Sequence, residues 1–367
     1  MRFKTVNATV VVAILLVGLL VTSVRAFALP TQEIIDKARI STVLIVSVNE
    51  ENPIGGGIGS GVLIDGQGTI LTNYHVIHRA ETLKVWFYDL EDHNHYPAEV
   101  VGIDPAADLA LLRLDPKFLE IREVKALPHL EIESRIPPVG LSVTAHGHML
   151  GHQWSVTQGI LNHVERPGKI TPYVNILQHT ALINQGNSGG PLVTDEGKII
   201  GINTYILMPR GKFVGIGYAI RGDTIRYSVD QMLEHGEVKR PAFKANFGSL
   251  HTFLAKELTK KHPNYIIPNT LGMIAQDIKE GDYAYEKGLR LLDTLVLMDG
   301  HPINSMADIK DLMLKYKPGD VVKLLIIRHR MYMLLDYELG TLEFPYLEFY
   351  DKRVQEQFGQ KSLDIMK

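Results

Sequence analysis

Between Ser41 and about residue 220 the apolar positions come in short runs, each broken after five to nine residues by Gly, Pro, Asp or Asn. "STVLIVSV", "GTILTNY", "LKVWFYD", "LALLRL", "VNILQHT" and "KIIGINTYI" are typical, and no long helical pattern separates them. Many short strands joined by turn residues predict a sandwich or a barrel rather than a parallel α/β sheet. Two helices flank this region. "TQEIIDKARI" precedes it, and "DTIRYSVDQMLEHG" follows it, with Ile225, Val229, Met232 and Leu233 on one face and Gly236 suited to the C-terminal cap.

The polar, proline-containing stretch "EVKRPAFKANF" marks a boundary near 238–245, after which the pattern becomes mixed α/β. Ser305 with Asp308 three residues on forms a capping box for the helix "MADIKDLMLKY", and "VVKLLIIRHRMYMLLDYEL" reads as a strand pair. Residues 341–367 form a tail whose pattern assigns it no role. At the other end, Arg2 and Lys4 precede an uncharged apolar run from Ala8 to Val24, with small residues at Ala26 and Ala28. This is an export signal over residues 1–28, either cleaved or retained as a membrane anchor.

Composition narrows the chemistry. The 367 residues suggest two domains, and a net charge of −3 with 22% charged residues gives no electrostatic case for nucleic acid as a partner. With no cysteine in the chain, disulfides, zinc–thiolate sites and thiol catalysis are all excluded.

The candidate chemistry starts at "INQGNSGGPLV", where Ser188 stands among residues with little or no side chain. Such a cluster between apolar runs is ordinarily a turn. It also suits a nucleophile whose neighbouring backbone N–H groups face a developing negative charge. Upstream, "ILTNYHVI" puts His75 at the end of an apolar strand, and "PAADLALLRL" puts Asp108 at the start of another, with Asp104 the competing carboxylate. The order His, Asp, Ser is that of the chymotrypsin-like barrels, and "GNSGG" is not the G-x-S-x-G elbow of α/β-hydrolases. Taken singly, each of these residues has an ordinary structural explanation; the pattern carries the case.

The segments "GSGVLIDGQGTILTNYHVI", "DLALLRL", "INQGNSGGPLV" and "IIGINTYI" with "GIGYAI" resemble the HtrA (Deg) family of exported trypsin-like serine proteases, over about residues 35–340. The resemblance implies a mainly β fold: a chymotrypsin-like double β-barrel protease domain over 35–237, followed by a small α/β PDZ domain over 245–340. It implies Ser188 as nucleophile, His75 as base and Asp108 as the group that orients the imidazole, with the N–H groups of Gly186 and Ser188 as the oxyanion hole. Glycines there would let the backbone donors approach the substrate. No metal, nucleotide or other cofactor is required. Leu182 takes the position at the floor of the S1 pocket, beside Ile183, with Tyr205 and Ile206 near the wall. An uncharged pocket favours small aliphatic P1 residues. Asn187 replaces the aspartate that trypsin-type zymogens pair with a new N-terminus, so activation by such a cut is not expected.

In the second region the resemblance places a peptide-carboxylate loop at Phe247, Gly248, Ser249 and Leu250, with Leu292 where a glycine is usual. It further implies a periplasmic protein, a homotrimer, misfolded or unfolded protein substrates, and C-terminal peptides as PDZ ligands. The alternative is a chaperone or scaffold in which cleavage is secondary. Three features act as decoys. His146, His148 and His152 have a conceivable zinc spacing but read as loop histidines without a completing carboxylate. "HNH" at 93–95 reads as solvated, and "PIGGGIGSG" lacks the strand–helix context of a phosphate loop. Thr180 stands where the family usually has an aspartate.

Overall fold

The computed structural model describes residues 30–49, 52–88, 94–121, 124–149, 152–167, 173–206, 215–250, 252–262, 272–329 and 331–342. The apolar segment 8–24, His93 and most of the tail lie outside these residues. Among the described residues no helix is long and apolar enough to cross a membrane. Two compact units are distinguished, one drawn from residues up to Glu99, Leu112–Val164 and Leu177–Ile225, the other from Val100–Leu111, Glu165–Ile176 and Arg226 onward.

Helix α1 (Gln32–Ser41) starts at Thr31, whose hydroxyl accepts from the Ile34 N–H. Strands β1 (Thr42–Asn49), β2 (Asn52–Leu63), β3 (Thr69–Thr72), β4 (Thr82–Phe87), β5 (Tyr96–Asp104) and β6 (Leu109–Leu114) close into a barrel in the order β1-β2-β3-β6-β5-β4. Two short helices interrupt it, α2 (Tyr74–Ile77) after β3 and α3 (Lys117–Ile121) after β6. Closure explains the sequence pattern: β3 and most of β6 are buried on both faces, so β6 opens on the unbroken apolar run "LALL" and β3 buries Ile70 and Leu71 together with its two threonines. Val43, Ile45, Val62, Leu63, Ile70 and Leu71 have almost no exposure, and each such side chain contributes about 1.5–3 kcal/mol of hydrophobic free energy.

A second closed barrel runs β10-β11-β12-β9-β8-β7, from β7 (Ser142–Met149), β8 (His152–Pro167), β9 (Asn175–His179), β10 (Pro191–Thr194), β11 (Ile199–Ile206) and β12 (Gly217–Arg221). Val143, Leu161, Leu177, Ile183, Leu192 and Ile200 lie in its core. Helix α4 (Gly222–His235) follows. Ile225, Val229 and Met232 are buried as read from the sequence, but Leu233 is 51% exposed. One residue past Met232, it is rotated about 100° off the apolar stripe. Gly236 ends the helix at φ 75°, its N–H bonded to the Met232 carbonyl.

The stretch 238–245 departs from its polar appearance. Val238, Arg240 and Phe243 are all buried, and β13 (Pro241–Ala242) pairs with β20 (Gly340–Thr341). Arg240 is drawn inside by Asp104, which is fully buried at the end of β5. The guanidinium donates to both carboxylate oxygens, at 3.2 and 2.5 Å, and the Ser228 hydroxyl of α4 donates to the same carboxylate at 2.6 Å. Removing either ion would strand the other in an apolar site, a cost of about 3–5 kcal/mol. A charged segment is thus buried because its counter-charge is buried already.

The remaining elements are β14 (Asn246–Leu250), α5 (Thr252–Lys261), β15 (Gly272–Gln276), α6 (Tyr283–Glu286), β16 (Thr294–Met298), β17 (His301–Pro302), α7 (Met306–Met313), β18 (Val321–Arg328) and β19 (Met331–Glu338). They build a sheet in the order β14-β15-β16-β18-β19, with β17 on β16. β18 and β19 pair from Val321↔Glu338 to Arg328↔Met331, the strand pair read from the sequence. The capping box of α7 is present: the Ser305 hydroxyl meets the Asp308 N–H, and the Asp308 carboxylate meets the Ser305 N–H at 2.8 Å. Leu292 has φ 68°, which accounts for a glycine being usual at that position. Its side chain packs with Leu250 and Ile274, contacts a glycine could not make.

Candidate active site

Ser188 lies in the connection from β9 to β10, in a turn held by main-chain hydrogen bonds within it and to β11. Asn187 N donates to Asn184 O at 3.0 Å, Gly189 N to Asn203 O at 2.9 Å and Gly190 N to Asn187 O at 3.0 Å. The N–H groups of Gly186 and Ser188 donate to no described residue. Gly186 has φ 98°, so its flanking peptides take an orientation that a side chain would strain.

The glycines after Ser188 have a different reason from the one read in the sequence. A Cβ on Gly189 would lie 2.0 Å from Ser60 O, and one on Gly190 2.1 Å from His146 O. Both are glycine because the turn packs against the protein's own strands β2 and β7. Ser188 itself is half-buried; its hydroxyl donates to the Thr204 carbonyl at 3.0 Å, and its carbonyl accepts from Ser60 N at 2.8 Å.

His75 is the second residue of α2 and is exposed. The structure holds its helix against the serine turn. A Cβ on Gly59 would lie 2.6 Å from the Val76 methyls and 3.2 Å from Ser188 O, so Val76 and Ser188 flank one glycine of β2. A Cβ on Gly189 would likewise lie 2.3 Å from Thr72 Oγ1 and 3.1 Å from Asn73 N, at the start of the same helix. Asp108 is 3% exposed at the head of β6, the strand beside β3 in the barrel. Its φ of 56° is left-handed, a conformation aspartate tolerates. Asp104, the competing carboxylate, is committed to Arg240 and Ser228.

The expected S1 residues separate. Leu182 is 43% exposed, and its carbonyl accepts from the Thr157 hydroxyl at 2.6 Å. Ile183 instead belongs to the barrel core. Tyr205 is half-buried with its ring 4.8 Å from Tyr218 on the next strand. The Ile206 side chain lies outside the described residues. Thr180 is exposed and closes β8 to β9, its hydroxyl accepting from Ile160 N at 2.9 Å. Asn187 is buried.

The histidine reading needs correction. His146 and His148 are not loop residues; both lie on β7 with 1% exposure. Alternation puts them on one face of the strand. The His146 ring meets the Thr144 hydroxyl at 3.0 Å, while Trp154 N donates to His148 Nδ1 at 3.3 Å. Burial lowers the pKa of His146 to about 4, aided by the Arg39 charge. Burial lowers His148 to about 4 against the opposing Val43 backbone bond. His179, on β9, is also lowered to about 4 by burial, opposed by the Ala181 backbone and the Asn203 side chain. The His152 side chain lies outside the described residues. Among those described, no three ligand-type side chains gather for a metal.

Phe247 to Leu250 form strand β14 rather than a loop. Phe247 packs against the core of this sheet and Leu250 against Ile274 and Leu292, and pairing with β15 extends the backbone. β14 ends the sheet order, so its other edge is free of a described strand.

Comparison with known proteins agrees with this architecture. The family model of the trypsin-like peptidase domain matches residues 59–202. The periplasmic serine endoprotease DegP of Salmonella typhimurium is 33% identical over 285 residues, covering 77% of this chain and 56% of the relative. The periplasmic pH-dependent serine endoprotease DegQ of Escherichia coli is 31% identical over 288 residues, covering 78% of this chain and 60% of the relative. The chain thus spans a little over half the length of the curated relatives it matches. Among solved structures, the HtrA-type protease AlgW with a tripeptide superposes with a TM-score of 0.72 at 27% identity, over 86% of this chain and 99% of that one. The serine endoprotease from Yersinia pestis gives 0.62 at 26% identity, over 86% and 100%.

Proposed function

The chain belongs to the HtrA/Deg family of trypsin-like serine proteases, and from that premise we propose that it is an exported serine endopeptidase working through Ser188, His75 and Asp108. The observation that carries this reading is the Ser188 turn: its hydroxyl sits beside two backbone N–H groups, of Gly186 and Ser188, that donate to no described residue, with the His75 helix held against the same turn. In the reaction the Ser188 hydroxyl turns from the Thr204 carbonyl toward His75, which takes its proton as Oγ attacks the peptide carbonyl. The two N–H groups receive the oxyanion, and Asp108 stabilises the imidazolium. No step requires nucleotide or metal.

The substrates are unfolded or misfolded proteins of the periplasm, the compartment in the names of the relatives. With the uncharged Leu182 assigned to the pocket floor, P1 should be a small aliphatic residue such as Val or Ala. Mapping of the cleavage sites in a reduced, unfolded protein tests this. The expected product ends are aliphatic, and a dominant Lys or Arg at P1 would show that the pocket is misassigned.

The second region, over 245–340, is a PDZ-like module that takes a peptide C-terminus as an added strand on the free edge of β14, beside α7. Support comes from the open edge and from Phe247, Ile309 and Leu312, which lie in the same apolar cluster. Helix α7 is also tied to the start of β9, because Asn175 Nδ2 donates to Ala307 O at 3.2 Å and Asp311 Oδ1 at 2.9 Å. Titration with short peptides ending in an apolar residue checks the module. Binding should be saturable and abolished by amidating the peptide terminus; equal affinity for the amidated peptide would refute it.

A further inference from the structure

We propose that Ser60 is a positioning residue for the oxyanion hole, an inference that rests on the serine-protease reading above. Ser60 is fully buried on β2 in the first barrel. Its hydroxyl donates to the Gly186 carbonyl at 2.7 Å, and its own N–H donates to the Ser188 carbonyl at 2.8 Å. One residue thereby holds the carbonyls of both residues whose N–H groups face the substrate.

The direction of the hydroxyl is not free. His148 N donates to Ser60 Oγ at 3.1 Å, which occupies a lone pair and leaves the single hydroxyl hydrogen for Gly186. Ser60 O in turn accepts from the Thr72 hydroxyl at 2.6 Å. Space is closed on the remaining sides: a Cβ on Gly147 would lie 2.8 Å from Ser60 Oγ, and one on Gly190 3.2 Å from Ser60 Cβ. Both glycines thus leave room for the Ser60 side chain.

The need for such a clamp lies in Gly186. A glycine at φ 98° can rotate its flanking peptides at little steric cost. The Gly186 carbonyl belongs to the 186–187 peptide and the Gly186 N–H to the 185–186 peptide, the two hinged at the Gly186 Cα, so an unanchored carbonyl lets the residue shift as a whole and carries its N–H away from where the oxyanion forms. The Ser60 hydrogen bond restrains that shift from outside the turn, so the donor is oriented before substrate arrives. Preorganisation of this kind acts on the transition state and not on ground-state binding. Ser60 touches no substrate atom and takes no part in proton transfer.

The test uses the full chain and a chromogenic peptide, with Ser60→Ala and Ser60→Cys compared with wild type. Loss of a whole oxyanion donor costs about 10²–10³-fold in kcat, so a misoriented one should cost about 10–100-fold, with KM within about twofold. Ser60→Cys, a weaker donor of similar size, should fall between wild type and Ser60→Ala. The rate of covalent labelling of Ser188 by a fluorophosphonate, which also needs the oxyanion hole, should fall in the same order. Thr42→Val, which removes a buried hydroxyl bonded to Ala38 O away from this turn, should lower the melting temperature and leave kcat unchanged. If Ser60→Ala does not fold, Ser60→Cys carries the comparison. Wild-type kcat in the folded Ser60 variants would overturn the assignment. A wild-type protein without Ser188-dependent hydrolysis would instead overturn the protease reading itself.

Discussion

Replacing Ser188 by alanine should abolish casein degradation while leaving the protein folded. Loss of a triad nucleophile costs about 10⁶-fold in kcat, or about 8 kcal/mol of transition-state stabilisation. The structural cost is far smaller. The hydroxyl is half-buried and makes one bond, to the Thr204 carbonyl, worth about 1 kcal/mol. The main-chain bonds of the turn and its packing on Ser60 O and His146 O do not involve Oγ. A residual rate of about 10³–10⁴ over water should survive, because the Gly186 and Ser188 N–H groups remain in place. The measurement is kcat on purified protein together with its circular dichroism and melting temperature. Near-normal turnover in a folded Ser188→Ala protein would remove Ser188 from the mechanism, and an inactive wild type that suppresses aggregation would favour the chaperone alternative.

Stability should fall steeply as pH drops from 6.5 to about 4. His146, His148 and His179 are all buried, and burial lowers each from the ordinary 6.5 to about 4. In that window the unfolded chain takes up protons that the folded chain refuses, so protonation draws the equilibrium toward unfolding. Above 6.5 both states are neutral and nothing is lost; below about 4 both are protonated and the loss is complete. At pH 5 each histidine costs about 2 kcal/mol, so the three together cost about 6 kcal/mol, a large share of a domain's usual margin. Carboxylates do not confuse this range. Among the described residues, those with lowered pKa, Asp65, Asp299 and Glu133, lose their contribution only as pH falls below their ordinary 3.8, 3.8 and 4.5. Urea midpoints between pH 7.5 and 5 read the effect, and His179→Asn, which cannot titrate, should flatten the slope by about a third. A midpoint that is flat from pH 7.5 to 5 would show that the folded protein accommodates the imidazolium forms.

The acid effect is also where reading the sequence went furthest astray. "HGHMLGH" looks like a polar loop because histidine is counted as polar, yet β7 continues to Met149 and carries both imidazoles inward. Strand alternation is visible in the letters, but which face is covered depends on which strands pair with it. Leu182 and Ile183 illustrate the same limit: adjacent apolar residues, one 43% exposed and one in the barrel core. Arg240 reads as a linker charge until Asp104, far away in sequence, is found beside it.

By itself the sequence determined the parts of this protein that depend on local order. Short apolar runs and turn residues specify the strands, the Ser305–Asp308 spacing specifies a helix start, and the order of His75, Asp108 and Ser188 specifies the chemistry to look for. These are properties of neighbours along the chain, set by backbone sterics, side-chain period and residue type. The tertiary structure alone decided which carboxylate is spent on a buried arginine and why Gly189 and Gly190 bear no side chain. It also decided that Ser60, unmarked within "GSGVLID", holds the carbonyls of Gly186 and Ser188. Each of those outcomes is a contact between residues distant in the chain, and the energy of such a contact does not exist until the barrels close and bring its partners within hydrogen-bonding or van der Waals distance.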